Sequence, residues 1–134
     1  MELLAEPIIV TARGAVAVLG KMSSLDALGV TKRYSYVSTV PLLYAISVPN
    51  LLPLTAVLQT SDSFVAHWPK NETITTQAET QQHKQGITLA TTEAETVEAS
   101  RLTACAAYME CEIVQRIPCG DHTLFIGQVR KREW

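Results

Sequence analysis

A single histidine stands where the sequence turns into an apolar strand. His122 follows Gly120 and Asp121 directly, and Leu124–Ile126 comes immediately after it. Glycine and aspartate favour a tight turn, and the apolar run favours a strand. A histidine beside a carboxylate at the mouth of a sheet can contact a ligand and exchange a proton near neutral pH. His122 is therefore the candidate catalytic residue; the alternative is a turn histidine bonded to a backbone carbonyl.

A second polar group follows one short segment, residues 31–38. It combines hydroxyls, phenols and cations, which suit an anionic, aromatic ligand with a polyol arm and equally suit an exposed edge strand. Thr55, near the start of a predicted helix, could offer its hydroxyl to a phosphate or be an ordinary helix residue. The donors of the segment are Thr31, Lys32, Arg33, Tyr34, Ser35, Tyr36 and Ser38.

The sequence lacks the residues that several other kinds of catalytic or binding site require. The sequence has no Gly-x-Ser-x-Gly and no phosphate-binding glycine-rich loop. Cys111 lies between Glu110 and Glu112, which disfavours a thiolate, so a core cysteine is expected. The two glutamates are expected on a solvated or salt-bridged strand face. The three cysteines have no metal-ligand spacing with the histidines, so no metal site is expected.

The elements that must position these residues are mostly strands. Arg13–Gly14 is expected to turn the first two strands into a hairpin. In the strand before the turn of His122, odd positions are apolar, and the even face with Tyr108 and Glu110 is expected to be wet or polar. The predicted strands are Ile8–Thr11, Ala15–Leu19, Thr31–Thr39, Leu42–Val48, Phe64–Trp68, Leu102–Val114 and Leu124–Val129.

Two or three helical insertions complete the pattern. Leu25–Leu28 could form a short helical turn or a loop. Pro53 suits the first turn of a helix, and a surface helix is expected to end near Gln85 with Gly86 as its cap. This tally favours a mainly β, antiparallel barrel. Leu42–Val48 and Leu124–Val129 are apolar on both faces, so a second subunit or helices should cover them.

Composition narrows the class further. The 134 residues fit one domain, with 47 % hydrophobic and 18 % charged residues. A net charge of −2 leaves no broad basic field for nucleic acid. Met1–Glu6 lacks a basic start, and the longest apolar run, Val40–Val48, is too short and interrupted to span a membrane. With its unpaired cysteines, the chain is expected in the reducing cytoplasm.

The C-terminal motifs resemble those of a known family. Glu110-Cys111-Glu112, followed by the Gly120-Asp121-His122 turn and a strand with Gly127-Gln128-Val129, is similar to the flavin reductase-like family of FMN-binding split β-barrels. Upstream, Val37–Val48 resembles the strand pair of that family. Other similar segments are Pro7–Gly14, Thr55 with Ser61–Val65, and Lys84–Thr88, the last as in the flavoredoxin-like branch.

The resemblance implies one Greek-key split-barrel domain over residues 1–134 and a homodimer with FMN, rather than FAD, at the subunit interface. It implies hydride or electron transfer between NAD(P)H, or a protein donor, and flavin. His122 would face the flavin or the nicotinamide. The alternatives are a flavin-binding or electron-carrier module without catalysis and a dimeric barrel without cofactor. The residues assigned to the cofactor are Thr31, Lys32, Arg33, Tyr34, Ser35, Val37, Ser38, Asn50 and Thr55.

Overall fold

The computed structural model describes residues 6–134. Within them the chain is mainly β, with two helices, α1 (Pro53–Leu58) and α2 (Glu72–Gln81). The strands are β1 (Ile8–Val18), β2 (Lys21–Thr31), β3 (Tyr34–Thr39), β4 (Leu42–Pro49), β5 (Ser63–Trp68), β6 (Thr91–Glu93), β7 (Ser100–Leu102), β8 (Ala107–Cys119) and β9 (His122–Glu133).

Seven strands form one antiparallel sheet in the order β2-β1-β5-β8-β9-β4-β3, and β6 pairs with β7 in a separate ribbon. The two edge strands, β2 and β3, follow each other in the chain, so the edges of the sheet approach each other where β2 ends. There the Thr31 hydroxyl donates to the Ser47 carbonyl at 2.7 Å, and the Ser47 N–H donates to the carbonyl of Arg33 at 2.9 Å. The mainly β, antiparallel class predicted from the sequence is confirmed.

The inner face of the sheet encloses the main core. Alternate residues of each strand point into it, as the period of two requires, and α1 fills the interior with Leu54, Val57 and Leu58. The predicted helix at Pro53 and its apolar line are therefore confirmed. Cys111 is fully buried in this core, as expected, and burial together with the charge of Glu110 raises the pKa of its thiol to about 12.

Other elements cover part of the outer face. Helix α2 packs over β1 and β2, where Ala78 meets Ile9 and Leu28. The ribbon and the loop after β6 cover β5 and the first half of β8, where Ala99 packs on Val65 and Tyr108. The outer side of β3, β4 and β9 lies beyond these covers.

The first hairpin differs from the sequence prediction. β1 runs unbroken through Arg13–Gly14, and the turn lies at Leu19–Gly20, where both residues have positive φ. Gly14 has another purpose, since a Cβ there would lie 2.4 Å from the Val57 carbonyl oxygen and 2.5 Å from Thr60 Oγ1. Glycine at this position lets the end of α1 dock against β1.

The predicted helical turn at Leu25–Leu28 is also wrong. These residues belong to β2, which pairs with β1 along its whole length. The pairing decides the conformation, because Ala27 enters the core while Leu28 points outward beneath α2. The chain then bends after Thr31, so β3 begins at Tyr34, three residues later than predicted.

Three expectations for the second half need correction. Helix α2 ends at Gln81 rather than near Gln85, and β8 begins at Ala107 rather than Leu102. The even face of β8 is not wet at Glu110, which is fully buried. Burial raises the pKa of this carboxyl, but hydrogen bonds from Thr96 and from the backbone N–H of Glu95 outweigh it and lower the pKa overall. Glu110 thus anchors the covering loop.

None of the helices in the described part of the chain is long and apolar enough to cross a membrane. The expectation about the leader at Met1–Glu6 falls, apart from Glu6, outside the described residues.

Replacing Gly14 by alanine tests the docking of α1. We expect Gly14→Ala to lower the free energy of unfolding by about 1–3 kcal/mol, because the new methyl group meets backbone and hydroxyl oxygens well inside contact distance. Urea denaturation measures the change. Ala17→Ser, at an exposed position of the same strand, should alter stability by less than about 0.5 kcal/mol. Equal stability of Gly14→Ala and the parent protein would contradict this packing.

His67 joins three strands from inside the protein. Its Nδ1 lies 2.9 Å from the Ile9 carbonyl oxygen, so Nδ1 carries the proton and donates, and the Leu102 N–H donates to Nε2 at 3.0 Å. The side chain is fully buried. Burial lowers the pKa of His67 to about 4. The neutral ring therefore links β1, β5 and β7.

This link predicts a pH dependence of stability. Between pH 6.5 and about 4 the unfolded chain binds a proton at this position and the folded chain does not. Acidification over that window should therefore cost about 3 kcal/mol of unfolding free energy from this group. His67→Gln should lose this pH-dependent part of the unfolding free energy. His83→Gln, at an exposed position, should retain it. Urea titrations at several pH values measure it; an unchanged pH slope in His67→Gln would refute the assignment.

Candidate functional site

Within residues 6–134, no helix or ribbon covers the outer side of β3, β4 and β9. Together with the last residues of β8 it forms one surface, called here the open face. Strand register decides which side chains share it. Ala45 pairs with Ser35 on one side and Ile126 on the other, and Pro49 pairs with His122. Their strand neighbours Ile46 and Phe125 point into the core. The side chains that register places on the open face include Ser35, Ser38, Leu43, Ala45, Ser47, Ile117, Cys119, His122, Leu124 and Ile126.

The middle of the open face is apolar and only partly covered. Leu43, Leu124 and Ile126 are half-buried, and Ile117 is 36 % exposed. Ala45 between them is buried and has a small side chain. Along one edge, β3 contributes the hydroxyls of Ser35 and Ser38, with a bulge at Val37, which is 52 % exposed. The face offers a flat ring an apolar support bordered by hydrogen-bonding groups.

His122 stands at the end of this face. Its Nδ1 lies 2.7 Å from Oδ1 of Asp121. The hydrogen bond with His122, together with its charge, lowers the pKa of the Asp121 carboxyl. An ionised carboxylate can only accept, so Nδ1 carries the proton. In the neutral ring, Nε2 is then an acceptor.

The turn that carries His122 is held from the neighbouring strand end. Gly120 has φ +66°, as the predicted two-residue turn requires. Asn50 donates from its backbone N–H to the Asp121 carbonyl at 2.9 Å and from its amide to the Gly120 carbonyl at 3.0 Å. Its side-chain oxygen accepts from the Thr123 hydroxyl at 2.7 Å. The Thr55 hydroxyl in turn donates to the Pro49 carbonyl at 2.6 Å.

The candidate residues around the bend before β3 lie in different parts of the structure. Arg33 is exposed, and its backbone carbonyl accepts from the Ser47 N–H, beside the point where Ser47 pairs with Leu124 on the open face. Thr31 is buried, and its hydroxyl bonds the end of β2 to the Ser47 carbonyl of β4. Tyr34 points inward, where its ring packs on Tyr44. Lys32 lines a different cavity of about 750 Å³ between α2 and the segment after β5.

The structure thus gathers Arg33, Ser35, Val37, Ser38 and His122 around the open face. It places Asn50 and Thr55 behind the turn, as supports, and Thr31, Lys32 and Tyr34 elsewhere. Among the described residues, no group of three or more histidine, cysteine, aspartate or glutamate side chains is placed to hold a metal ion.

The sequence matches the family described as "Flavin reductase like domain" over residues 7–133. The chain belongs to this family. The same fold is found in NADH:FAD oxidoreductase SgcE6 from Streptomyces globisporus, with a TM-score of 0.79 and 20 % identity over 99 % of this chain and 72 % of that one. The FMN-binding protein from Thermus thermophilus gives a TM-score of 0.74 at 18 % identity, over 98 % and 71 % of the two chains.

Flavoredoxin from Methanosarcina acetivorans gives a TM-score of 0.70 at 20 % identity, over 94 % of this chain and 68 % of that one. A curated relative, an uncharacterised protein from Archaeoglobus fulgidus, is 35 % identical over 43 residues, which are 32 % of this chain. The match spans about a quarter, 24 %, of that relative's length. At these identities the structural matches show that the flavin reductase-like fold is shared.

Sequence reasoning missed two features of the site in this family member. The sequence predicts Asp121 as a turn residue, and the structure adds its hydrogen bond to His122. The sequence raises only metal and disulfide chemistry for Cys119, and the structure shows that Cys119 pairs with His122 across the hairpin and is exposed. Both features could have been inferred from the two-residue turn. Asp121 lies in the turn next to His122, and Cys119 and His122 flank the turn, so they face each other across the hairpin.

Proposed function

We propose that this chain is a flavin-dependent oxidoreductase that binds FMN on the open face and exchanges electrons between NAD(P)H and the flavin. One observation carries the proposal: the sheet leaves an apolar, hydroxyl-edged surface uncovered, and His122 stands at its end. Membership in the flavin reductase like domain family supports a flavin-related redox function. The choice of FMN as the flavin, the use of NAD(P)H and the direction of electron transfer are the parts of the function that we propose.

The residues of the open face fit the parts of an FMN molecule. Ala45 and Ile126 provide an apolar support for an isoalloxazine ring. Ser35 and Ser38 can hydrogen-bond to ring edges or to the ribityl hydroxyls. The exposed cation Arg33 can pair with the phosphate. Thr55 is occupied by the Pro49 carbonyl, so its contribution to a phosphate site is indirect.

The flavin would supply the hydride-accepting ring, and the protein would supply its binding site and surroundings. The apolar face restricts water around the ring. Nε2 of His122, on the other side of the ring from the bond to Asp121, can accept a hydrogen bond or a proton from a bound ligand. Arg33 balances the negative charge that an anionic cofactor brings to this end of the face.

Titrations with three flavins test the cofactor assignment. We expect FMN to bind, and Arg33→Ala to lower its affinity about tenfold through loss of a charge-assisted contact with the phosphate. Riboflavin, which lacks the phosphate, should bind both proteins equally, and FAD shows whether a larger nucleotide is accepted. Lys21→Ala, which removes an exposed cation at the far end of β2, is the control.

Absorbance in the blue and flavin fluorescence measure binding, and anaerobic bleaching by NADH or NADPH measures reduction. A protein that binds no flavin would refute the proposal. Binding without bleaching by either nucleotide would instead identify a flavin-binding or electron-carrier module.

We also propose that the open face is shared between two copies of this chain. Its leucine and isoleucine side chains lie together in the middle of the sheet and are only partly buried within one copy of the chain. Apolar patches that remain accessible in this way mark interfaces. The flavin would then lie between the sheet of one protomer and its partner.

A charge on the open face tests the dimer. Leu124→Lys should convert a dimer into a monomer, because a lysine cannot be buried there without a partner charge. It should also weaken FMN binding if the cofactor lies at the interface. Met22→Lys changes another exposed apolar side chain, away from this face, and should leave both properties unchanged. Analytical ultracentrifugation gives the mass; a monomeric parent protein would exclude the interface.

A further inference from the structure

We propose that Asn50 and Asp121 are positioning residues that fix the ring orientation and tautomer of His122, and that Asn50 is not a direct ligand of the cofactor. The inference rests on the proposed function, since it assigns the chemistry of the same histidine. It starts from what each polar atom of Asn50 already does.

Each polar atom of the Asn50 side chain makes one hydrogen bond to the turn, which leaves the second amide hydrogen and the second oxygen lone pair. Its amide donates to the Gly120 carbonyl and its oxygen accepts from Thr123. Its backbone N–H holds the Asp121 carbonyl. Three contacts at 2.7–3.0 Å from one residue therefore fix the residues on both sides of His122. A direct ligand would need donors or acceptors that point out onto the open face.

The support continues behind Asn50. The Thr55 hydroxyl donates to the Pro49 carbonyl, which fixes the residue before Asn50 at the end of β4. Pro49 itself pairs with His122 across the sheet. The end of β4, Asn50 and the turn thus form one hydrogen-bonded unit, although Gly120 of the turn lies 70 residues after Asn50 in the sequence.

Asp121 completes the unit on the exposed side. Its carboxylate accepts from Nδ1 of His122, so the neutral ring is held as the Nδ1–H tautomer with Nε2 free to accept. An imidazole in water prefers the opposite tautomer. Asp121 selects the tautomer, and Asn50 keeps the turn in the conformation that brings the carboxylate to the ring.

The first experiment measures the tautomer in the protein without cofactor, by nitrogen-15 NMR of the imidazoles at about pH 8.5, where histidines are neutral. We expect the Nδ1–H form for His122, a shift toward Nε2–H in Asp121→Ala, and a mixture in Asn50→Ala. His67, held as Nδ1–H by the Ile9 carbonyl, should keep its signals and report an intact fold.

The matched control is Asn71→Ala. Asn71 caps α2 by accepting from the Ile74 N–H, so this variant loses one asparagine and about 1 kcal/mol of stability far from the turn. The signals of His122 should not change. If Asn50→Ala behaves like Asn71→Ala, Asn50 is only structural and the proposal fails.

The second experiment uses the flavin-loaded protein. Asn50→Ala should reduce kcat/KM for the nicotinamide about tenfold and shift its pH profile, because misplacement of a reacting group is costly, while the FMN affinity stays unchanged. A fall in FMN affinity would show that Asn50 is a cofactor ligand and overturn the proposal. A His122 tautomer of Nε2–H in the parent protein would overturn it even if the flavin proposal holds. Failure to bind flavin would refute the proposed function but leave the tautomer result valid.

Discussion

A seven-stranded sheet has two faces to bury, and this chain has few elements with which to cover them. The inner face is buried by the curvature of the sheet around α1. The outer face is covered unequally, by α2 over β1 and β2 and by the ribbon and its loop over β5 and β8. Everything proposed about function depends on the part that remains, because an uncovered apolar sheet surface is where a flat ligand or a second subunit can bind.

Buried polar groups hold the covers in place. His67 joins the ribbon to β1, and Glu110 accepts three hydrogen bonds from the loop residues Glu95 and Thr96. Each group is fully buried and has its partners, which is the condition for a buried polar group to be tolerated. They are not available as catalytic acids or bases. His122, at the end of the open face, lies by contrast at the functional surface.

The site itself is built on contacts between distant segments. The turn of His122 would be a flexible hairpin tip if it were held only by β8 and β9. Asn50 and Thr55, from the end of β4 and from α1, connect it to the core. A site on the end of a strand gains precision in this way, since its supports are rigid elements and not loops.

The sequence by itself determined the strand-rich pattern, the helix at Pro53, the turn at Gly120 and the candidate role of His122, because these depend on local propensity and on a short motif. It could not locate the first turn, since Gly14 is required by a contact with α1 and not by the backbone of a turn. The alternating pattern of β8 also predicts a solvent-exposed face at Glu110. That prediction fails because the folded chain brings the loop with Glu95 and Thr96 over the strand. The tertiary structure alone decided that Ser35, Ser38 and His122 share one surface while Lys32 and Tyr34 do not, because strand register sets the face of every side chain.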